Sequence, residues 1–115
     1  MTRKRVAVDF DGTITQGEVA FWDGEEPEPN QEVIDWVNEQ YFAGHSVFIW
    51  TARDESRRPQ TERWLKEWGV YYHALVMDKL SADMYVDDKA FTPEGALTAE
   101  VEPKPFLKEE VANAE

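Results

Sequence analysis

The stretch Val6-Ala7-Val8-Asp9-Phe10-Asp11-Gly12-Thr13-Ile14-Thr15 decides how the rest of the chain is read. Three apolar residues follow one another without polar alternation, which predicts a strand buried on both faces. Gly12 then releases the chain into a turn. Asp9 and Asp11 stand at or just past the carboxyl end of a central strand, where ligands collect in open α/β sheets. Two carboxylates this close repel unless something positive lies between them. Mg²⁺ answers that need, because it takes hard oxygen ligands and keeps its waters. With one oxygen of Asp9 on the metal, the other can attack a phosphorus atom and form an aspartyl-phosphate. Asp11 can protonate the leaving oxygen and later activate water. The plainer alternative is a strand end running into an Asp-Gly turn. The full run, with an apolar strand before it and Thr13 after it, favours the functional reading.

A chain of 115 residues is long enough for one compact domain with a single core. It has no cysteine, which rules out disulfides, thiolate metal sites and thiol nucleophiles. It has no long apolar segment, so no membrane span is expected, and the short apolar run after the basic start does not suit a signal peptide. The expected compartment is the cytoplasm. The formal net charge of −12 argues against general affinity for nucleic acid or anionic membranes. It leaves room for a site made locally positive by a metal ion and a few basic side chains. Such an acidic surface would also suit a salt-rich cytoplasm, which stability rising steeply toward molar salt would test.

Beyond the opening strand, placed at residues 4–9, residues 14–30 form a connector punctuated by Gly17, Asp23-Gly24, Pro27 and Pro29. Val19 to Trp22 reads as one arm of a small hairpin. The connector is either a flap beside the site or a plain surface loop. Residues 31–43 read as a helix with Asn30 as N-cap, Val33, Val37 and Tyr41 on one stripe, and Gly44 as the stop. Ser46 to Trp50 is a second buried strand that runs into Thr51-Ala52-Arg53. A hydroxyl at a strand end can bind a phosphoryl oxygen, helped by neighbouring backbone N–H groups; by itself Thr51 reads as a turn cap. Arg53 pairs with substrate or with a nearby Asp, a surface salt bridge being the commoner fate. Pro59 suits the first turn of a second helix, with Thr61, Trp64, Leu65 and Trp68 as its core face. His73 to Met77 is a third strand. His45 and His73 both sit at strand starts, away from the proposed site, and carry no chemistry in this reading.

Met84-Tyr85-Val86 is short, apolar and again ends in paired carboxylates, Asp87 and Asp88. A strand there, laid next to the first, would bring them to Asp9 and Asp11, and four converging carboxylates need a metal more urgently than two. Lys79 is the best candidate for a cation that holds Asp9 and offsets phosphate charge, with Lys89 as competitor. Residues 90–98 read as an edge segment with a turn at Thr92 to Gly95. The acidic tail holds either a short helix at 106–112 or a mobile end.

The elements alternate as strand, helix, strand, helix, strand, strand. That order predicts an α/β fold, a three-layer Rossmann-like sandwich with a mostly parallel sheet and helices on both faces. Over residues 4–92 the order and the motif positions resemble the haloacid dehalogenase-like (HAD) hydrolases. The resemblance implies that Asp9 is nucleophile and metal ligand, and that Asp11 is general acid/base and lends its backbone carbonyl to Mg²⁺. It implies that Thr51, with Ala52 beside it, binds the phosphoryl group, that Lys79 is the active-site lysine, and that Asp87 and Asp88 complete the metal site. The second carboxylate, Asp11, implies phosphoryl transfer rather than work on carbon–halogen bonds. Leu80 departs from small members that carry Pro after this lysine.

On this resemblance residues 1–98 form one HAD-like domain and 99–115 a tail. There is no room for an inserted cap domain. An uncapped site implies either a large phosphorylated substrate, such as a polymer end, or a homo-oligomer in which a neighbouring subunit covers a small one. The leading expectation is a Mg²⁺-dependent phosphatase. The alternatives are a non-catalytic module that binds a phosphorylated ligand or a partner, and a phosphotransferase.

Overall fold

The computed structural model describes residues 3–17 and 26–98. The expected hairpin arm at 19–22 and the tail at 99–115 lie outside the described residues. Packing divides the chain into two compact units, Met1–Ser81 and Ala82–Glu115.

The first unit is a parallel α/β layer. Its strands are β1 (Arg5–Asp9), β2 (Ser46–Trp50) and β3 (Ala74–Val76), and its helices are α1 (Gln31–Phe42) and α2 (Arg58–Glu67). The strands lie in the order β1-β2-β3, all parallel, as the alternation of elements predicts. The register sets Val8 beside Ile49 and Leu75, and Asp9 beside Trp50 and Val76.

Burial alternates along the strands, so the expectation that β1 is buried on both faces is corrected. Val6, Val8, Val47, Ile49 and Leu75 are buried, whereas Ala7, Trp50 and Val76 are exposed. The buried set lies on one face of the sheet, since side chains two residues apart along a strand share a face. The core between sheet and helices is built from Val33, Ile34 and Val37 of α1, Trp64 and Leu65 of α2, and Phe10 and Ile14 of the turn after β1. At this apolar content each fully buried side chain stabilises the fold by about 1.5–3 kcal/mol.

Helix α1 ends where expected. Gly44 takes a left-handed φ of 96°, which lets the His45 N–H reach the Gln40 carbonyl at 3.1 Å. Asn30 occupies the N-cap position, but its side chain makes no capping bond; its carbonyl accepts from Ile34 N–H instead. Pro59 lies in the first turn of α2, as expected. Trp64 is fully buried, but Trp68, expected in the core, is 41% exposed at the helix end. The two ends of the connector pair antiparallel at Thr15 and Pro29, with Gln16 N–H on the Glu28 carbonyl at 2.8 Å.

In the second unit two expectations are corrected. Met84, Tyr85 and Val86 form no strand and stand 77%, 53% and 91% exposed. Three apolar residues between Asp83 and the Asp87-Asp88 pair offer little ladder and little apolar area to offset ordering the chain. Residues 93–98 are helical, α3 (Pro93–Thr98), rather than an edge segment. Thr92 explains this: its hydroxyl accepts from Gly95 N–H at 3.0 Å and its carbonyl from Ala96 N–H at 2.9 Å, with Pro93 opening the helix.

Candidate active site

The site grows from the carboxyl ends of β1 and β2. Past Asp9 the chain enters a wide turn in which Thr15 N–H reaches the Phe10 carbonyl at 3.1 Å. Phe10 and Ile14 plug this turn into the core. Gly12 takes φ 78°, and a Cβ on it would stand 3.3 Å from the Gly17 carbonyl oxygen. Its N–H donates to Thr15 Oγ1 at 3.0 Å. Asp11 is thereby held between a buried anchor and a left-handed corner.

Past Trp50 the second loop is locked to the loop after β3 by backbone bonds. Thr51 N–H donates to Val76, Lys79 N–H to Thr51, and Asp78 N–H to Arg53, at 3.0, 2.9 and 2.8 Å. Asp78 takes a left-handed φ of 63° to make this turn. The sheet thus extends as a zipper beyond its last strand residue and carries Lys79 toward Asp9. The Lys79 ammonium lies 4.0 Å from Asp9 Oδ1 and 4.8 Å from the centre of the Trp50 ring. Burial raises the Asp9 carboxyl above its ordinary range. Lys79 and the Phe10 N–H oppose this shift, and the Asp11 charge adds to it.

Arg53 pairs with a nearby Asp, one of the fates the sequence left open, but it is wholly buried, so the surface salt bridge favoured there is corrected. Its Nε donates to Asp11 Oδ2 at 2.9 Å and its Nη2 to Asp11 Oδ1 at 2.7 Å, a two-pronged pair. Nη1 donates to Gln60 at 3.1 Å and to Thr61 at 3.4 Å. The guanidinium stacks over Phe10, 4.8 Å from its ring centre, and Phe10 meets Trp64 edge-on at 5.2 Å. The signal for this was present. If β1 and β2 pair in parallel with Asp9 level with Trp50, the residues just past each end face one another, and Asp11 and Arg53 are among them.

Thr51 is fully buried, and its Oγ1 accepts from the Arg53 N–H at 3.2 Å, so the hydroxyl caps its own turn. It keeps its proton for an oxygen acceptor. Ala52 between them is exposed. Asp9, Asp11, Thr51, Arg53 and Lys79 all belong to the first unit, at the carboxyl end of the sheet. Asp87 and Asp88 belong to the second unit, where Asp87 Oδ1 accepts from Lys89 N–H at 2.9 Å. The strand that was to carry them to β1 is not formed. Among the described residues no three Asp, Glu, His or Cys side chains gather closely enough to hold a metal ion. His45 and His73 accept backbone N–H bonds from Lys4 and Val47 at 3.0 Å each. No helix among the described residues is long and apolar enough to cross a membrane.

No family model matches the chain, and no curated protein matches it. Solved structures do. A crystal structure of a protein from Vibrio cholerae superimposes with a TM-score of 0.71 at 24% identity, over 96% of this chain and 94% of that one. A chain of the Pnkp1/Rnl/Hen1 complex gives 0.54 at 21% identity, over 75% of this chain and 31% of that one. A probable YrbI family phosphatase from Pseudomonas syringae gives 0.49 at 22% identity, over 67% and 42%. At such identities the likeness is one of architecture: this chain shares a Rossmann-type parallel α/β fold with the Vibrio cholerae protein.

Proposed function

We propose that this chain is a Mg²⁺-dependent phosphatase that hydrolyses a phosphomonoester through an aspartyl-phosphate on Asp9. One observation carries the reading: a half-buried carboxylate with an ammonium 4.0 Å away stands beside a second carboxylate clamped by a buried arginine. Two carboxylates and two cations thus meet at the carboxyl end of the sheet, and a divalent ion held there would supply the positive charge that an anionic ligand needs.

The donor set fits a hard divalent cation in kind, since both candidates offer oxygen. Asp9 would hold Mg²⁺ through its carboxylate and Asp11 through its backbone carbonyl, because both Asp11 carboxylate oxygens already accept from Arg53. When bound, the ion neutralises charge on the phosphoryl oxygens and lowers repulsion against the nucleophile.

The protein's own groups account for the rest. An Asp9 oxygen attacks phosphorus while the bond to the leaving oxygen breaks. Asp11, carrying a proton on an oxygen lone pair that Arg53 does not use, gives that proton to the leaving oxygen, and the resulting carboxylate later takes one from the attacking water. The guanidinium fork fixes the plane of the Asp11 carboxyl, so the proton is delivered along one direction. Lys79 and the Thr51 hydroxyl bind phosphoryl oxygens.

The test is hydrolysis of an aryl phosphate with Mg²⁺ and with EDTA, for the wild type and Asp9→Asn. Turnover that needs Mg²⁺ and drops at least about a thousandfold in the variant is expected. Turnover that survives Asp9→Asn would sink the mechanism. A folded wild type that hydrolyses no phosphomonoester would sink the function.

A further inference from the structure

Trp50 is the last residue of β2 and the register partner of Asp9, so the two side chains leave the same face of the sheet. It is 43% exposed, and nothing in the packing of the core calls for a tryptophan there. Beside its ring, 4.8 Å from the centre, lies the ammonium of Lys79, whose side chain is only 12% exposed. The main chain of Lys79 is pinned by its bond to Thr51 and by the left-handed Asp78 before it. The ammonium, however, ends a flexible four-carbon stem, and its distance of 4.0 Å from Asp9 Oδ1 is the outer edge of an ion pair.

We propose that Trp50 is a positioning residue of this site: its indole face holds the Lys79 ammonium beside Asp9, where a phosphoryl oxygen is to be bound. The proposal rests on the phosphatase reading for its functional half. A ring face attracts a cation through its quadrupole but competes weakly for N–H donors. A tight hydrogen bond to Asp9 would hold Lys79 equally well, but it would also tie up the nucleophile. The indole orders the lysine and leaves the carboxylate its reactivity.

The experiment compares Trp50→Leu, which keeps bulk without a π face, with Trp50→Phe, which keeps a smaller face. The first readout is the NMR shift of the Lys79 ε-methylene group, which reports ring proximity whether or not the protein is an enzyme. We expect it upfield in the wild type, partly retained in Trp50→Phe and lost in Trp50→Leu. The second readout is affinity for inorganic phosphate with Mg²⁺ present, by calorimetry, alongside kcat and KM for an aryl phosphate. Trp50→Leu is expected to weaken phosphate about three- to fivefold, with the loss in KM, while Trp50→Phe stays within about twofold. Wild-type lysine signals at ordinary positions, or equal losses in Trp50→Phe and Trp50→Leu, overturn the proposal. A shifted signal that Trp50→Leu abolishes, in a protein that neither binds phosphate nor hydrolyses ester, upholds the placement of Lys79 and overturns the phosphatase reading instead.

Discussion

Arg53 grips both carboxylate oxygens of Asp11, Nε on Oδ2 at 2.9 Å and Nη2 on Oδ1 at 2.7 Å, across 42 residues of sequence. The arginine is fully buried and the Asp11 side chain 15% exposed, so this pair sits where removing one partner strands the other. Asp11→Ala should therefore cost about 3 kcal/mol in urea unfolding. Arg53→Lys keeps the charge but cannot form the fork, and should lower kcat by about tenfold or more with a smaller loss of stability. Equal kcat in Arg53→Lys would show that the fork does not aim Asp11.

Gly12 connects Asp11 to the rest of the turn. Its φ of 78° strains any other residue, and a new Cβ would press on the Gly17 carbonyl at 3.3 Å. Gly12→Ala should cost about 1–2 kcal/mol and lower turnover along with it, because Asp11 is the next residue back. Thermal unfolding and kcat measured on one preparation check both halves.

The Trp64 ring braces Phe10, on which Arg53 stacks, and its Nε1 donates to the Pro27 carbonyl at 3.1 Å. Trp64→Phe keeps most of the ring and strands that carbonyl, for a loss of about 1–2 kcal/mol. Trp64→Ala opens a cavity as well, for about 3–5 kcal/mol. The difference between the two denaturant midpoints separates packing from the hydrogen bond. A Trp64→Phe variant as unstable as Trp64→Ala would mean that the bond to Pro27 carries most of the effect.

Asp9 should show its burial in the pH dependence of stability. Its carboxyl is raised above the ordinary 3.8, so the folded state binds this proton more tightly than the unfolded chain. The resulting stabilisation is full below about pH 3.8 and is lost as pH rises through the folded value. Asn at this position cannot ionise. Asp9→Asn should melt about 2 °C above the wild type at pH 7, a small gain because the site is partly solvated and Lys79 loses its partner. The difference should shrink toward zero as the pH falls below the ordinary carboxylate range. A variant that melts below the wild type at pH 7 would contradict this account of Asp9.

Much of this was legible beforehand, and the parts that were not share a cause. Ser46–Trp50 emerges as a strand with the expected ends, and Gly44 stops α1 as expected, because apolar period and glycine placement act within a few residues. Met84 to Val86 misled because three apolar residues before two aspartates look like a strand end wherever they occur. Whether they pair depends on a partner edge, which no local pattern reports. Arg53 misled for the opposite reason. A charged residue in a charged loop has a surface prior, and its neighbours in space, Asp11 past β1 and Gln60 and Thr61 on α2, make burial tolerable.

The sequence by itself determined the parallel α/β order and the placement of two carboxylates at the end of β1, since hydrophobic period, turn residues and paired carboxylates are local properties of the chain. The tertiary structure decided which face of the sheet is covered, that Arg53 is spent on Asp11, and that Trp50 and Lys79 meet beside Asp9. Those outcomes depend on strand register and on the desolvation of particular side chains, and both are settled only when segments far apart in sequence pack against each other.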